Sequence, residues 1–442
     1  MVDGRVLERL ADGTVKQRSP ITGTVVWTVP GRSNRPLPAA LPPPMPLPAG
    51  RHDDLCPFCP ARIQETPPER ARFLLAGSGR PAGEPWVIRR DLGAREAAAG
   101  PWDVRRFPNL FAILPFSYWQ ANHGVELPVG ALDRAARYGR EPEGRAHLLA
   151  IARARLRAAG VSAQLADREP QEALLASSTA YFASTHDVVT TRRHVLDEAT
   201  MDDQLTAAGD LTAEEHHAFV ACAIDGLADL CEHVPGARNV AVFQNWLRPA
   251  GASFDHLHKQ VVAIDEHGPL LERVLRLLGS DPHLFNTAVA DPASRDRLLI
   301  AQNDHAIALA GVGHRYPTVE VLTTGPAVRP HEAPPEVVLG VSDLLHACHA
   351  ATGRLVPTNE EWHLAPTGAD VPMPWRVNLK WRISTLAGFE GGTKINVNTI
   401  SPFELRERMV TALAGLRGQG RIAPLRIGDE CQHGPGILQY AR

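Results

Sequence analysis

Two cysteines in a proline-bracketed turn, Cys56-Pro57-Phe58-Cys59-Pro60, constrain the fold of this chain more than any other feature. A C-x-x-C knuckle sets two thiolates on one side of a turn, at a separation suited to tetrahedral zinc. It supplies two ligands where four are needed, so a metal requires partners from elsewhere in the sequence. The alternatives are a redox pair or two incidental cysteines. Redox pairs usually open a helix in a thioredoxin-like pattern, and Pro57 with its neighbouring prolines disfavours that. Six cysteines in 442 residues do not make a disulfide framework. Cys222, Cys231 and Cys348 lie on helical, mostly apolar stretches and read as buried thiols.

Charge narrows the function classes. A formal net charge of -3 with 21% charged residues shows neither a basic surplus nor a basic stripe. No nucleic-acid partner is therefore expected. Arg105-Arg106 and Arg192-Arg193 read as solvated surface or small-phosphate contacts. No apolar run is long enough to span a membrane, and MVDGRVLERLADG lacks the apolar stretch of a signal peptide. The expectation is no membrane partner and a cytoplasmic location.

The length suits two or three domains, or one large duplicated unit. Residues 14–30 predict a strand, a turn at Pro20–Gly23 and a second strand; 36–50 are too proline-rich for helix or sheet. Further strands are expected at 107–114, 179–185, 238–244 and 257–264. A long helix over 212–233 opens on the capping sequence Thr212-Ala-Glu-Glu215. The second half repeats this grammar loosely. Helices are expected at 268–279, 292–301, 334–351 and 402–416; strands at 305–311, 317–323, 376–384 and 394–398. Residues 115–175 differ in character, being helical and rich in Ala, Arg and Leu. The class is α+β with largely antiparallel sheets.

The second chemical feature is Gly251-Ala-Ser253-Phe-Asp-His256-Leu-His258-Lys259-Gln260. On a strand, alternate residues share a face, so His256, His258 and Gln260 line up and Leu257 points inward. Two histidines so spaced can be metal ligands, a catalytic pair or satisfied polar residues of a sheet. The small residues of Pro249–Ser253 let backbone N–H groups approach a phosphate. Phe243-Gln244-Asn245 ends the preceding strand with amides able to reach the same place.

Taken together, these segments resemble the galactose-1-phosphate uridylyltransferase family of the histidine triad superfamily. Arg18-Ser-Pro20-Ile-Thr22-Gly23, Trp27 and Pro30-Gly-Arg32-Ser-Asn-Arg35-Pro36 are similar to its opening motif. Cys56-Pro-Phe-Cys59 is similar to its zinc knuckle. Arg106-Phe-Pro-Asn109-Leu-Phe111, Phe182-Ala-Ser-Thr-His186-Asp187 and the His256–Gln260 motif follow in order. Ala387-Gly-Phe389-Glu390-Gly-Gly-Thr393, with Asn396 and Asn398, is similar to its substrate segment.

The resemblance implies a duplicated histidine-triad-like unit. Residues 1–266 would form the catalytic half, with 115–175 a helical insertion, and 267–442 a half that contributes to substrate binding. It implies one structural zinc on Cys56, Cys59, His186 and His256. His258 would be the nucleophile, and Ser253 and Gln260 would hold phosphates. Arg32 and Arg35 would add positive charge; Asn109, Phe111 and Asn245 would surround the nucleotide; Phe389 and Glu390 would face the sugar or acceptor. A backbone carbonyl near residue 256 would fix the tautomer of His258. Relatives of this type are commonly homodimers. Lys259 replaces the usual glycine, and would meet an extra phosphate or point to solvent. Arg376-Val-Asn378 replaces an H-x-H that holds a second metal in some relatives. That second metal is not expected, and Arg376 could meet an anion instead.

The implied reaction is transfer of a nucleoside monophosphate from a nucleotide sugar to a sugar 1-phosphate through a nucleotidyl-His258 intermediate. The alternative acceptor is inorganic phosphate, which would make the chain a phosphorylase of ADP-sugars or dinucleoside polyphosphates. A reading from another class is a non-catalytic, zinc-containing nucleotide-binding protein.

Overall fold

The segments expected as strands at 257–264 and 376–384 become, in a computed structural model, two strands of one long antiparallel sheet. Residues 6–31, 43–48, 50–75 and 85–441 are described; Arg32 and Arg35, and most of the proline-rich 36–50 segment, lie outside them. The described strands are β1 (Leu7–Arg9), β2 (Val15–Arg18), β3 (Val25–Thr28), β4 (Ala71–Leu74), β5 (Val87–Arg90), β6 (Val104–Pro108), β7 (His186–Thr191) and β8 (Asn239–Trp246). They continue with β9 (His258–Ile264), β10 (Leu299–Gln302), β11 (Ala306–Ala310), β12 (Thr318–Thr323), β13 (Thr358–His363), β14 (Arg376–Trp381), β15 (Ile395–Asn398) and β16 (Arg426–Ile427).

Twelve of these strands run β16-β10-β11-β12-β14-β13-β8-β9-β7-β6-β4-β5. The β8–β13 pair is the seam. Outward from it the order is β8, β9, β7, β6, β4 on one side and β13, β14, β12, β11, β10 on the other. Both sets have the same relative chain order, so one topology occurs twice. In each set a long helix precedes the seam strand: Ala213–His233 before β8 and Pro335–Thr352 before β13. The fold is thus α+β and duplicated. A separate sheet, β1-β2-β3-β15, joins the N-terminal hairpin to the Ala387–Asn398 segment through a parallel β3–β15 pair.

Local sequence explains most of these elements. Thr212 accepts from the Glu215 N–H at 3.1 Å, and Glu215 accepts from the Thr212 N–H at 2.8 Å. This reciprocal cap starts the Ala213–His233 helix. The expected insertion consists of the helices Phe116–His123, Val129–Arg140, Pro142–Ala158, Ala163–Arg168 and Gln171–Ser178, all between β6 and β7. Only a short loop stands at the matching place between β11 and β12.

Other expectations failed. Residues 179–185 form a helical turn, Thr179–Ala183, and β7 begins only at His186. The helix expected over 292–301 ends at Arg295 and the chain enters β10 at Leu299. The strand at 107–114 begins and ends earlier, as Val104–Pro108. β13 had no apolar alternation to reveal it. Arg106 is no surface residue: it is 1% exposed, paired with Asp187 and with Asp225 and Asp229 at 2.9 and 2.8 Å. It ties β6 and β7 to the Ala213–His233 helix.

Neither expectation for Lys259 holds. The side chain is fully buried on the helix-covered face, 2.5 Å from Glu360 Oε1 on β13 and 3.1 Å from Gln244 Oε1 on β8. The His349 and Trp362 rings donate to the same carboxylate at 2.7 and 2.6 Å. Burial works to raise the Glu360 carboxyl, but Lys259 and His349 hold it below the usual range. Three strands are therefore cross-linked at the seam by one satisfied ion pair. Removing one partner leaves a buried charge alone, which costs about 3–5 kcal/mol. Lys259→Met should lower the denaturant midpoint accordingly. Lys259→Met combined with Glu360→Met should recover much of that loss, and an additive double variant would show that the pair is not coupled.

Candidate active site

β9 carries the site because a strand sends neighbouring side chains to opposite faces. His258 and Gln260 share the face away from the helices, while Lys259 and Val261 pack beneath them. Opposite them on β7 stand Thr190 and Val188. His256 is not in the strand but in the loop before it. The small residues ahead of it make that loop possible: Gly251 has φ +90°, a conformation that favours glycine. Ser253 is exposed in the same loop.

The His256 Nε2–H donates to the Thr191 carbonyl at 2.7 Å, which turns the Nδ1 lone pair toward the cysteine knuckle. Among the described residues, Cys56, Cys59, His194 and His256 form a group whose ligand atoms all lie within 4.8 Å of one another. The separations are 3.7 Å for Cys56–Cys59, 3.5 Å for Cys56–His256, 3.7 Å for Cys59–His256 and 3.2 Å for Cys59–His194. A tetrahedron with zinc–sulfur and zinc–nitrogen bonds of ordinary length has edges of about 3.3–3.8 Å. The donor set can therefore hold one metal ion and is compatible with zinc. The Cys59 thiol is held below its ordinary range by the hydrogen bond from Cys56 and by His194 and His256, as a metal-binding thiolate requires.

His186, expected as the fourth ligand, is not in this cluster; His194 takes the place. The reason is strand direction. β7 runs antiparallel to β9, so His186 faces Val262, whereas Thr190 faces His258. His186 thus sits about 13 Å along the sheet from the row of His258. The turn after β7 carries His194 back to the knuckle. A histidine three residues past a strand end, beside the basic pair Arg192-Arg193, was the overlooked signal.

His186 instead orients Gln260. Its Nδ1 accepts the Ile113 N–H at 3.1 Å, so the neutral ring carries its proton on Nε2. That Nε2–H donates to Gln260 Oε1 at 2.9 Å, and the Asn109 amide donates to the same oxygen at 3.4 Å. With its carbonyl occupied, Gln260 has its NH2 group left to donate elsewhere. Burial pushes the His186 ring down to about 4, so it stays neutral at physiological pH.

The His258 Nδ1–H donates to the His256 carbonyl at 2.8 Å, the tautomer-fixing contact expected from the sequence. The proton-free nitrogen is then Nε2, which has no hydrogen bond among the described residues. The ring is 4% exposed, and burial pushes it down to about 4. Phe58, between the two cysteines, packs edge-on against it with centroids 5.4 Å apart. The knuckle thus positions His258 as well as binding His256.

The other expected residues divide. Asn245 is on the His258 face, tied to the Asn359 amide at 2.7 Å, whereas Gln244 points to the opposite face with Lys259. Phe111 is exposed on the loop after Asn109. Glu390 caps its own helix, accepting from the Ala387 N–H at 3.1 Å, and Phe389 lies 6.3 Å from Trp27 on the small sheet. No described hydrogen bond, ion pair or ring contact joins Phe389 or Glu390 to His258 or Gln260. Arg376, considered for an anion, is buried against Glu320 at 2.9 Å, and Glu320 also binds His314.

Among the described residues, no helix is long and apolar enough to cross a membrane. A family model described as "Domain of unknown function (DUF4921)" matches residues 10–440. No curated protein matches the chain by sequence. Among solved structures, the chain is similar to an ADP-glucose phosphorylase from Arabidopsis thaliana with bound ADP-glucose. The TM-score is 0.55 at 17% identity, over 90% of this chain and 97% of that one. It is also similar to a GalT-like protein from the same plant, with TM-score 0.54 and 16% identity, over 89% and 97%. The chain therefore has the galactose-1-phosphate uridylyltransferase type of fold.

The two histidine assignments can be separated by metal analysis. His194→Ala and Cys56→Ala should lose the bound metal and lower the Tm, since site metals contribute folding energy. His186→Ala should keep the metal. Loss from His186→Ala with retention in His194→Ala would reverse the assignment.

Proposed function

This chain belongs to the DUF4921 family, and we propose that it is a nucleotidyltransferase of the galactose-1-phosphate uridylyltransferase type, with His258 as the covalent nucleophile and Cys56, Cys59, His194 and His256 holding one structural zinc. The observation that carries this reading is the 2.8 Å hydrogen bond from His258 Nδ1 to the His256 carbonyl. It leaves Nε2 as the free lone pair on a strand beside an amide held to donate.

His258 Nε2 attacks the α-phosphorus of a nucleotide sugar. The nitrogen–phosphorus bond forms as the bond to the leaving sugar phosphate breaks, and the electron pair leaves with that phosphate. The ring becomes cationic while keeping its Nδ1 proton, and the His256 carbonyl stabilises the growing charge. A second phosphate then attacks the same phosphorus, and the electron pair returns to Nε2. Leaving group and acceptor are both anions already at neutral pH, so neither half-reaction requires proton transfer. A neutral donor such as Gln260 is sufficient on the phosphoryl oxygens. Water as acceptor would have to lose a proton, and neither Gln260 nor His186, whose Nδ1 is occupied, is placed to take it. Transfer is therefore favoured over hydrolysis, with ping-pong kinetics.

The halves 1–266 and 267–442 serve as a catalytic unit and a supporting unit. Ser253 and Asn245 are the nearby polar groups for the phosphates and nucleotide, with Arg32 and Arg35 supplying positive charge. Phe389 and Glu390 serve the sugar or acceptor, in a cytoplasmic homodimer. Inorganic phosphate as acceptor, giving a phosphorylase, uses the same intermediate. The structural neighbour described as an ADP-glucose phosphorylase favours keeping that second reading.

Incubation with radiolabelled nucleoside diphosphate sugars should give an acid-labile adduct on His258, absent from a folded His258→Ala variant. Discharge by sugar 1-phosphate or by inorganic phosphate separates transferase from phosphorylase. Labelling that survives in His258→Ala would sink the mechanism. Gln260→Ala should slow adduct formation by roughly 100-fold or more while leaving the metal bound; an unchanged rate would remove Gln260 from the phosphate.

A further inference from the structure

The helical insertion between β6 and β7 walls a cavity that begins at Asn109, beside the proposed phosphate-binding Gln260. The cavity measures about 250 Å³ and is lined on one side by Pro108, Asn109 and Phe111, and on the other by Ala158, Ala180 and Tyr181. Asn109 is the residue whose amide reaches Gln260, and His258 itself does not line the space. Arg155, in the last turn of the Pro142–Ala158 helix, also faces this space.

Two properties of the cavity point to its occupant. Its walls are mainly apolar and include Phe111, which is 59% exposed, so a flat aromatic ring has a face to stack on. Arg155 supplies a fork of donors and no acceptor. Arg153 on the same helix pairs with Asp167 at 3.6 Å, whereas no described carboxylate pairs with Arg155. Tyr181 is buried beside it, and its hydroxyl takes one hydrogen bond from Arg155, leaving the remaining donors of the fork to the cavity. A phosphate would suit the guanidinium but not the surrounding Pro, Phe and Ala walls. A volume of 250 Å³ fits one heterocycle better than a sugar diphosphate.

We propose that this cavity, walled by the insertion, holds the nucleobase of the donor, and that Arg155 selects a base with carbonyl oxygens on its edge. Uracil, thymine and guanine present such oxygens, whereas adenine presents an amino group that an arginine cannot satisfy. This inference rests on the nucleotidyl-transfer reading for its catalytic meaning. It gives the insertion a task that the shared fold leaves open: the sheet performs the transfer, and the added helices choose the nucleotide.

The test compares UDP, GDP and ADP binding by calorimetry, and adduct formation from the corresponding glucose derivatives. The proteins are the wild type, Arg155→Ala and Arg155→Lys. The wild type should favour the uracil or guanine ligand over the adenine one by about tenfold or more. Arg155→Ala should collapse that ratio. Arg155→Lys, which keeps charge but loses the planar fork, should restore little of it. A wild-type preference for adenine overturns the inference. So does an Arg155→Ala variant that weakens all three ligands equally, since that places Arg155 on phosphate. An Arg155-dependent base preference in binding, without any adduct, would retain the base pocket and reject the transferase. An adduct without base preference would do the reverse.

Discussion

The buried ion pair between Lys259 and Glu360 fixes the strand on which the proposed chemistry depends. Lys259 lies between His258 and Gln260 in sequence but on the opposite face of β9. Its ammonium reaches across β8 to a carboxylate on β13, so the register of β9 is set from behind by the other half of the molecule. A strand that slipped by one residue would exchange its two faces. Lys259 would then enter the site, and His258 would enter the core. The fully satisfied carboxylate, bonded to Lys259, His349 and Trp362, makes such a slip costly.

Above the sheet, a second restraint acts on the same strand from its beginning. The Cys2His2 cluster takes His256 through Nδ1, and the Thr191 carbonyl takes its other nitrogen. With the His256 ring fixed at both ends, its backbone carbonyl is held where the His258 Nδ1–H can reach it. Phe58 adds a packing contact from the knuckle to the His258 ring. A metal bound by this cluster would act on His258 through geometry, by holding one backbone carbonyl and one aromatic side chain.

Much of this was legible along the chain wherever the cause is local. The Thr212–Glu215 cap, the strand alternation around His258, and the helical insertion follow from residues within a few positions of one another. The His256 carbonyl contact is two residues long and could be foreseen. β13 was not foreseen, because Thr-Asn-Glu-Glu has no apolar period; its Glu360 is tolerable only opposite a lysine 101 residues away. The exchange of His186 for His194 failed for a related reason. His186 opens β7 and His194 follows its end, and only the antiparallel pairing with β9 says which end meets the knuckle.

The sequence by itself determined the residue types and their local faces: two thiolates on a turn, a histidine and a glutamine two apart on a strand, and an arginine-bearing helical insertion. Side-chain chemistry and backbone period act over a few residues and need no knowledge of the fold. Only the tertiary structure decided which histidine completes the metal cluster, what Lys259 is for, and that Arg155 faces a cavity beginning at Asn109. Those outcomes depend on strand order, register and the closure of long loops, which bring together groups separated by tens to hundreds of residues.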